Sequence, residues 1–230
     1  MSLIVASILV LMFLNLVLGS VSIPLKSVWN IICGLGDEPV TWQNIVWKSR
    51  LPQALTALVA GAGLAISGLQ MQTVFRNPLA GPSVLGISSG ASMGVAFVVL
   101  LSGSLGGAAL SKLGFMGEIA LSIAAVIGSL SVMALIVYVS QKVKGNVTLL
   151  IIGVMIGYVA NAVIGVLKFF SVEEDIRAYV IWGLGSFSRV SGNQMMLFVA
   201  IMAILIPLSF LLIKTLNLML LGDGYAVTWD

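Results

Sequence analysis

Histidine is absent from this 230-residue chain, and cysteine occurs once, at Cys33. The first absence removes the commonest metal ligand and the side chain that most often serves as a base near neutral pH. A lone thiol forms no internal disulfide and leaves the redox compartment unread. No catalytic residue, metal ligand or cofactor is therefore assigned. Charge is scarce as well. Only 8% of residues are Asp, Glu, Lys or Arg, against roughly 25% in soluble domains, while 60% are hydrophobic and the mean hydropathy is +1.15. Water is not the main solvent of such a chain. The 11 basic residues, which give a net charge of +3, are scattered singly. Nucleic acid, whose phosphates need a clustered basic face, is excluded as a partner. A G-x-x-x-x-G-K-[ST] phosphate cradle is also missing, so any nucleotide chemistry belongs to another chain.

What is present is six apolar stretches, at about residues 3–22, 53–73, 83–101, 118–140, 147–170 and 194–216, each near the length that crosses a hydrocarbon core of about 30 Å. The fold class they predict is all-α, a polytopic membrane helix bundle of about six transmembrane helices in a single domain over 1–230. No Lys or Arg precedes Lys26, so the first stretch reads as an uncleaved helix rather than a signal peptide. The loop after it holds Trp29, Trp42 and Trp47, residues that favour the headgroup layer, and a short interfacial helix is expected over 41–48.

Small residues mark the faces that neighbours approach. Ala57, Gly61 and Ala65 recur every four residues in the second stretch, as do Gly63 and Ser67; Gly86, Gly90 and Gly94 do so in the third, and Gly153, Gly157, Asn161 and Gly165 in the fifth. Asn161 faces either another helix, as a hydrogen-bonded tie, or a water-filled path. Between the second and third stretches, Arg76-Asn77-Pro78 opens a polar, proline-broken segment reaching Ala91. Such backbone survives in a bilayer only where protein or water satisfies it, and this implies a bundle with a shaped interior. Glu173-Glu174-Asp175 forms an acidic cluster, residues 179–191 predict a short helix and turn, and Pro207 predicts a kink in the sixth stretch.

Several of these pieces occur together in a known order: Arg50-Leu51-Pro52, the run Ala60 to Gly68, Gln72, Phe75-Arg76-Asn77-Pro78-Leu79-Ala80, Leu85-Gly86, Ser89-Gly90-Ala91, Trp182-Gly183-Leu184-Gly185-Ser186, and Leu216-Asn217-Leu218 to Leu221-Gly222-Asp223. In this set the chain resembles the permease subunits of ATP-binding-cassette importers for iron-siderophores, haem and vitamin B12. The resemblance implies about ten membrane helices, of which six are present, so the chain is expected to be truncated and to lack transport activity of its own. Residues 217–230 resemble part of the cytoplasmic coupling segment, with Leu221, Gly222 and Asp223 in it. The implied partners are a second permease subunit, two ATP-binding subunits, an extracytoplasmic substrate-binding protein, a metal-chelate substrate and the lipid bilayer of the bacterial cytoplasmic membrane.

The resemblance places Arg76, Lys142, Lys144 and Lys214 in the cytoplasm and Lys26, Lys48, Arg50, Lys112, Lys168, Arg177 and Arg189 outside or near it, against the count that the positive-inside rule gives. Arg50 is the residue assigned to binding-protein docking, as an exposed guanidinium that pairs with a carboxylate; Gln53 stands where the family often has a second arginine. Gly86, Gly90, Gly94, Gly157 and Asn161 are assigned to helix packing or the pathway, and Arg76, Asn77 and Pro78 to fixing a turn. Two other classes compete. An ATPase-independent carrier would need acids or bases paired within a span, and an intramembrane enzyme a nucleophile with its base; neither set is found in the sequence.

Overall fold

The computed structural model describes residues 2–105, 114–143 and 145–221. Helices α1 (Ser2–Val17), α2 (Leu25–Cys33), α3 (Val40–Ile45), α4 (Leu51–Phe75), α5 (Ile87–Leu105), α6 (Phe115–Ser140), α7 (Asn146–Phe169), α8 (Glu173–Gly183), α9 (Gly192–Phe210) and α10 (Ile213–Leu221) make up the described chain, and no strand occurs among the described residues. The fold is all-α. Among the described residues, four helices are long and apolar enough to cross a membrane: Val40–Phe75, Met116–Ser140, Asn146–Phe169 and Gly192–Phe210. The other two predicted spans are shorter apolar helices, Ser2–Val17 and Ile87–Leu101; the 16 residues of α1 rise only about 24 Å.

Local chemistry sets the helix boundaries. Gly34, at φ 67°, ends α2, and the amides of Gly34 and Leu35 bond back to the carbonyls of Ile31 and Asn30, the hydrogen-bond pair of a left-handed C-terminal cap. Ser191 and Gln194 form a reciprocal capping box at the start of α9. The three acids of α8 occupy its first turn, where the positive end of the helix dipole favours them.

Two expectations about the spans are corrected. The short helix expected at 41–48 is not separate from the second span, because α3 passes through a π-type turn, Val46–Arg50, directly into α4. Pro52 supplies a physical reason: a proline inside a helix lacks its N–H and its ring crowds the carbonyl four residues back, and a wider turn relieves both. The sixth span ends at Phe210, and a turn at Leu211 and Leu212 separates it from α10.

The chain divides into two compact units. The first, residues 1–66 and 186–212, has a core of Leu16, Ile23, Val28, Ile31 and Val46, and Met202 of α9 lies over Gly63 of α4. The second, residues 67–185 and 213–230, has two clusters. Val95, Ala96, Val99 and Leu100 of α5 pack with Ile164 and Tyr179, and Ala80 and Leu85 pack with Val132, Ile136 and Leu150. Many large apolar side chains remain exposed, among them Leu64, Ile127 and Phe169, as lipid-facing helices require.

Candidate functional site

The second unit is organised by backbone contact at glycine. A β-carbon on Gly90 would lie 2.5 Å from Val132 Cγ2 and 2.7 Å from the Gly128 carbonyl oxygen; one on Gly94 would strike the Ala124 carbonyl. Helices α5 and α6 therefore meet main chain to main chain. Gly128 and Ala124 were missed as partners in the sequence, although Ala124, Gly128 and Val132 recur every four residues, the signal used for the other stripes.

Gly86 departs from the expected stripe. It lies one residue before α5, at φ 73°, and a β-carbon there would sit 2.6 Å from the Gly153 carbonyl oxygen and 3.3 Å from the Gly157 nitrogen of α7. Its turn follows Pro82, and the Gly86 amide donates to the Ser83 carbonyl at 3.2 Å. Gly86 thus packs on α7, whereas Gly90 and Gly94 pack on α6.

Along this second contact runs a groove of about 180 Å³, lined by Ser83, Gly86, Ser89, Gly153, Val154, Gly157, Tyr158 and Asn161. Gly157 forms part of its buried floor, where a β-carbon would come within 3.3 Å of Ser89 Oγ. Asn161 is exposed in the groove, and no side-chain hydrogen bond to it is found among the described residues. Val154 and Tyr158 also line an apolar groove of about 390 Å³ with Val84, Val147, Leu150, Ile151 and Met155. The polar groove offers two serine hydroxyls, a phenol and an amide. Its lining contains no carboxylate, amine or thiol, so its side chains can hydrogen-bond a neutral polar surface but form no acid–base pair. Among the described residues no group of three or more His, Cys, Asp or Glu could hold a metal ion.

Among the described residues, Arg50, Arg76, Asn77, Pro78 and Leu221 are not in the lining of this groove. Arg50 is buried in the first unit, only 4% exposed. Its Nη1 donates to the carbonyls of Leu16 and Val17 at 2.7 and 2.8 Å, and its Nη2 donates to that of Val21. These acceptors lie at and just beyond the C-terminal end of α1, where carbonyls lack helical partners and a cation is favoured. The exposure that motivated a docking role is not found. Gln53, three residues on, donates to Ser49 Oγ at 3.0 Å.

Arg76 follows α4 at φ 48°, and its Nη2 donates to the Met219 carbonyl of α10 at 2.8 Å. Asn77 Oδ1 accepts the Leu79 amide at 2.9 Å, and the Ala80 amide donates to the Asn77 carbonyl at 3.1 Å across Pro78. Leu221 is the last residue of α10; Gly222 and Asp223 lie outside the described residues.

A profile of the FecCD transport family matches residues 7–229. The chain belongs to the FecCD transport family. It is 33% identical over 211 residues to the hemin transport system permease protein HmuU of Yersinia pestis, covering 91% of this chain and 59% of that protein. It is 36% identical over 187 residues to the vitamin B12 import system permease protein BtuC of Photorhabdus laumondii, covering 81% and 52%. To an iron chelatin transport system permease protein of Helicobacter pylori, designated probable, it is 36% identical over 195 residues, covering 84% and 55%. The chain spans between half and three fifths of the length of these curated relatives. A solved transporter described as of metal-chelate ABC type, in an inward-facing conformation, superposes with a TM-score of 0.75 at 25% identity, over 96% of this chain and 64% of that one. The glycine seam and polar groove are thus features of a FecCD chain.

Proposed function

We propose that this sequence serves in the transmembrane permease subunit of an ATP-binding-cassette importer that moves an iron-siderophore or similar metal-chelate across the bacterial inner membrane. One observation carries the reading. A FecCD chain with a span-forming helix, α7, sets a glycine floor and an asparagine amide in an exposed groove that is free of carboxylates and amines. Such a surface can hydrogen-bond a polar solute without an ionic contact, and an ATP-driven step in this reading falls to a separate subunit, since the sequence holds no phosphate cradle.

The proposed assembly pairs two permease subunits, two ATP-binding subunits that hydrolyse ATP, and an extracytoplasmic binding protein. Residues 217–230 form part of the coupling segment in this reading, Gly222 and Asp223 included. A docking role for Arg50 would require its guanidinium to leave three carbonyls, and the buried geometry favours a structural role. The iron-siderophore assignment is supported by the Helicobacter pylori relative, described as an iron chelatin permease; the other two relatives are described by hemin and vitamin B12.

Proteoliposomes holding the permease that carries this sequence, with its ATPase and binding protein, test the reading. ATP-dependent uptake of a ferric siderophore is the expected result. Uptake of haem or cobalamin in its place would correct the substrate, and no ATP-dependent uptake of any of the three would overturn the transport function.

A further inference from the structure

We propose that Arg76 is a positioning residue that fixes α10, the helix leading into residues 222–230; its importance for transport rests on the permease reading above. The backbone around Arg76 is unusual. Its amide donates to the Thr73 carbonyl at 3.2 Å and the Asn77 amide to the Gln72 carbonyl at 3.1 Å, the two bonds of a helix end whose capping residue is left-handed. Glycine normally takes that place because a β-carbon is strained there. Arg76 is the one non-glycine residue at positive φ among the described residues.

The side chain supplies a reason for tolerating that strain. Met219, whose carbonyl accepts from Arg76 Nη2 at 2.8 Å, lies in the last turn of α10. A carbonyl there has no partner within its own helix and sits at the negative end of the helix dipole. No residue of 213–220 is fully buried, so α10 has little apolar anchorage and a directed bond matters more to its placement. The same turn is braced from α7: Asn146 Nδ2 donates to the Phe75 carbonyl at 3.2 Å and reaches that of Val74 at 3.5 Å. The end of α4, the start of α7 and the end of α10 thus share one node within the second unit, and a shift of α4 or α7 there carries α10 with it.

Arg76→Gly tests this, because glycine suits the left-handed position and leaves the fold intact, while Arg76→Lys keeps a cationic donor. Two readouts are compared in the permease carrying this sequence. In detergent, amide exchange over residues 213–221 should quicken about tenfold in Arg76→Gly, the effect of losing one charged hydrogen bond, with protection in the middle of α4 unchanged. In proteoliposomes, chelate uptake per ATP hydrolysed should fall by about the same factor while the ATPase still co-purifies, and Arg76→Lys should recover part of both. Unchanged exchange over 213–221 would overturn the tie. Faster exchange with unchanged uptake per ATP would overturn the positioning role. If the wild-type protein shows no ATP-driven uptake, the permease reading fails, and the exchange result still decides whether the tie exists.

Discussion

Gly94 of α5 and Gly128 of α6 meet so closely that a β-carbon on Gly128 would lie 3.1 Å from the Gly94 α-carbon and would strike the Gly90 carbonyl. The atoms in the way are backbone, which cannot rotate aside as a side chain does. Gly128→Ala should therefore separate the helices and cost about 1–3 kcal/mol, the range for overpacking a filled interior. Thermal unfolding in detergent, followed by loss of the monodisperse peak, checks it; a melting temperature equal to wild type would mean that the helices slide apart freely.

The Arg50 guanidinium gathers carbonyls from Leu16, Val17 and Val21, and a β-carbon on Gly19 would sit 2.8 Å from Arg50 Nη2. Arg50→Gln should destabilise the protein by about 1.5–3 kcal/mol, because charged hydrogen bonds are lost and the buried Leu16 carbonyl loses its donor. Gly19→Ala should lower stability in the same direction by displacing the guanidinium. If Arg50→Gln melts like wild type while low-salt affinity for the binding protein falls, the docking role stands instead.

The helices were legible in the sequence because they depend on local pattern. Apolar runs of 19 to 26 residues became α5, α6, α7 and α9, and Gly90 and Gly94 lie in close backbone contact with another helix. What stayed hidden depends on partners distant in sequence. The acceptors of Arg50 are main-chain atoms 29 to 34 residues away, and a carbonyl leaves no residue type to read. The Arg76 bond reaches 143 residues along the chain for the same kind of acceptor. Gly86 misled because four-residue spacing continues the stripe on paper, whereas the turn after Pro82 rotates it out of the helix. The space at Gly61 is open, since a β-carbon added there would meet nothing within 4 Å.

Asn161 separates two roles that the sequence left open. It is exposed in the groove beside Ser89 and Tyr158, and an amide that ties no helix together should be replaceable without loss of stability. Asn161→Leu is expected to melt like wild type and to slow chelate uptake about fivefold, corresponding to one lost hydrogen bond of about 1 kcal/mol. Asn161→Gln should retain most of the uptake. A lowered melting temperature in Asn161→Leu would instead assign the amide to helix packing.

Gly86 carries two independent constraints, and Gly165 of α7 carries neither. At Gly86 the φ of 73° disfavours any side chain and the Gly153 carbonyl oxygen would lie 2.6 Å from a β-carbon; at Gly165 the space is open. The left-handed backbone alone penalises alanine by roughly 1–2 kcal/mol, and the clash adds a further overpacking cost of about 1–3 kcal/mol. Gly165→Ala, in contrast, should be neutral or stabilising by up to about 1 kcal/mol through helix propensity. The two substitutions add the same methyl group to the same unit, so detergent, expression and lipid effects are shared between them. Gly86→Ala should melt well below wild type and Gly165→Ala at or above it. Equal melting temperatures for the pair would show that the α5–α7 contact yields at little cost, and the groove floor would then be pliable rather than fixed.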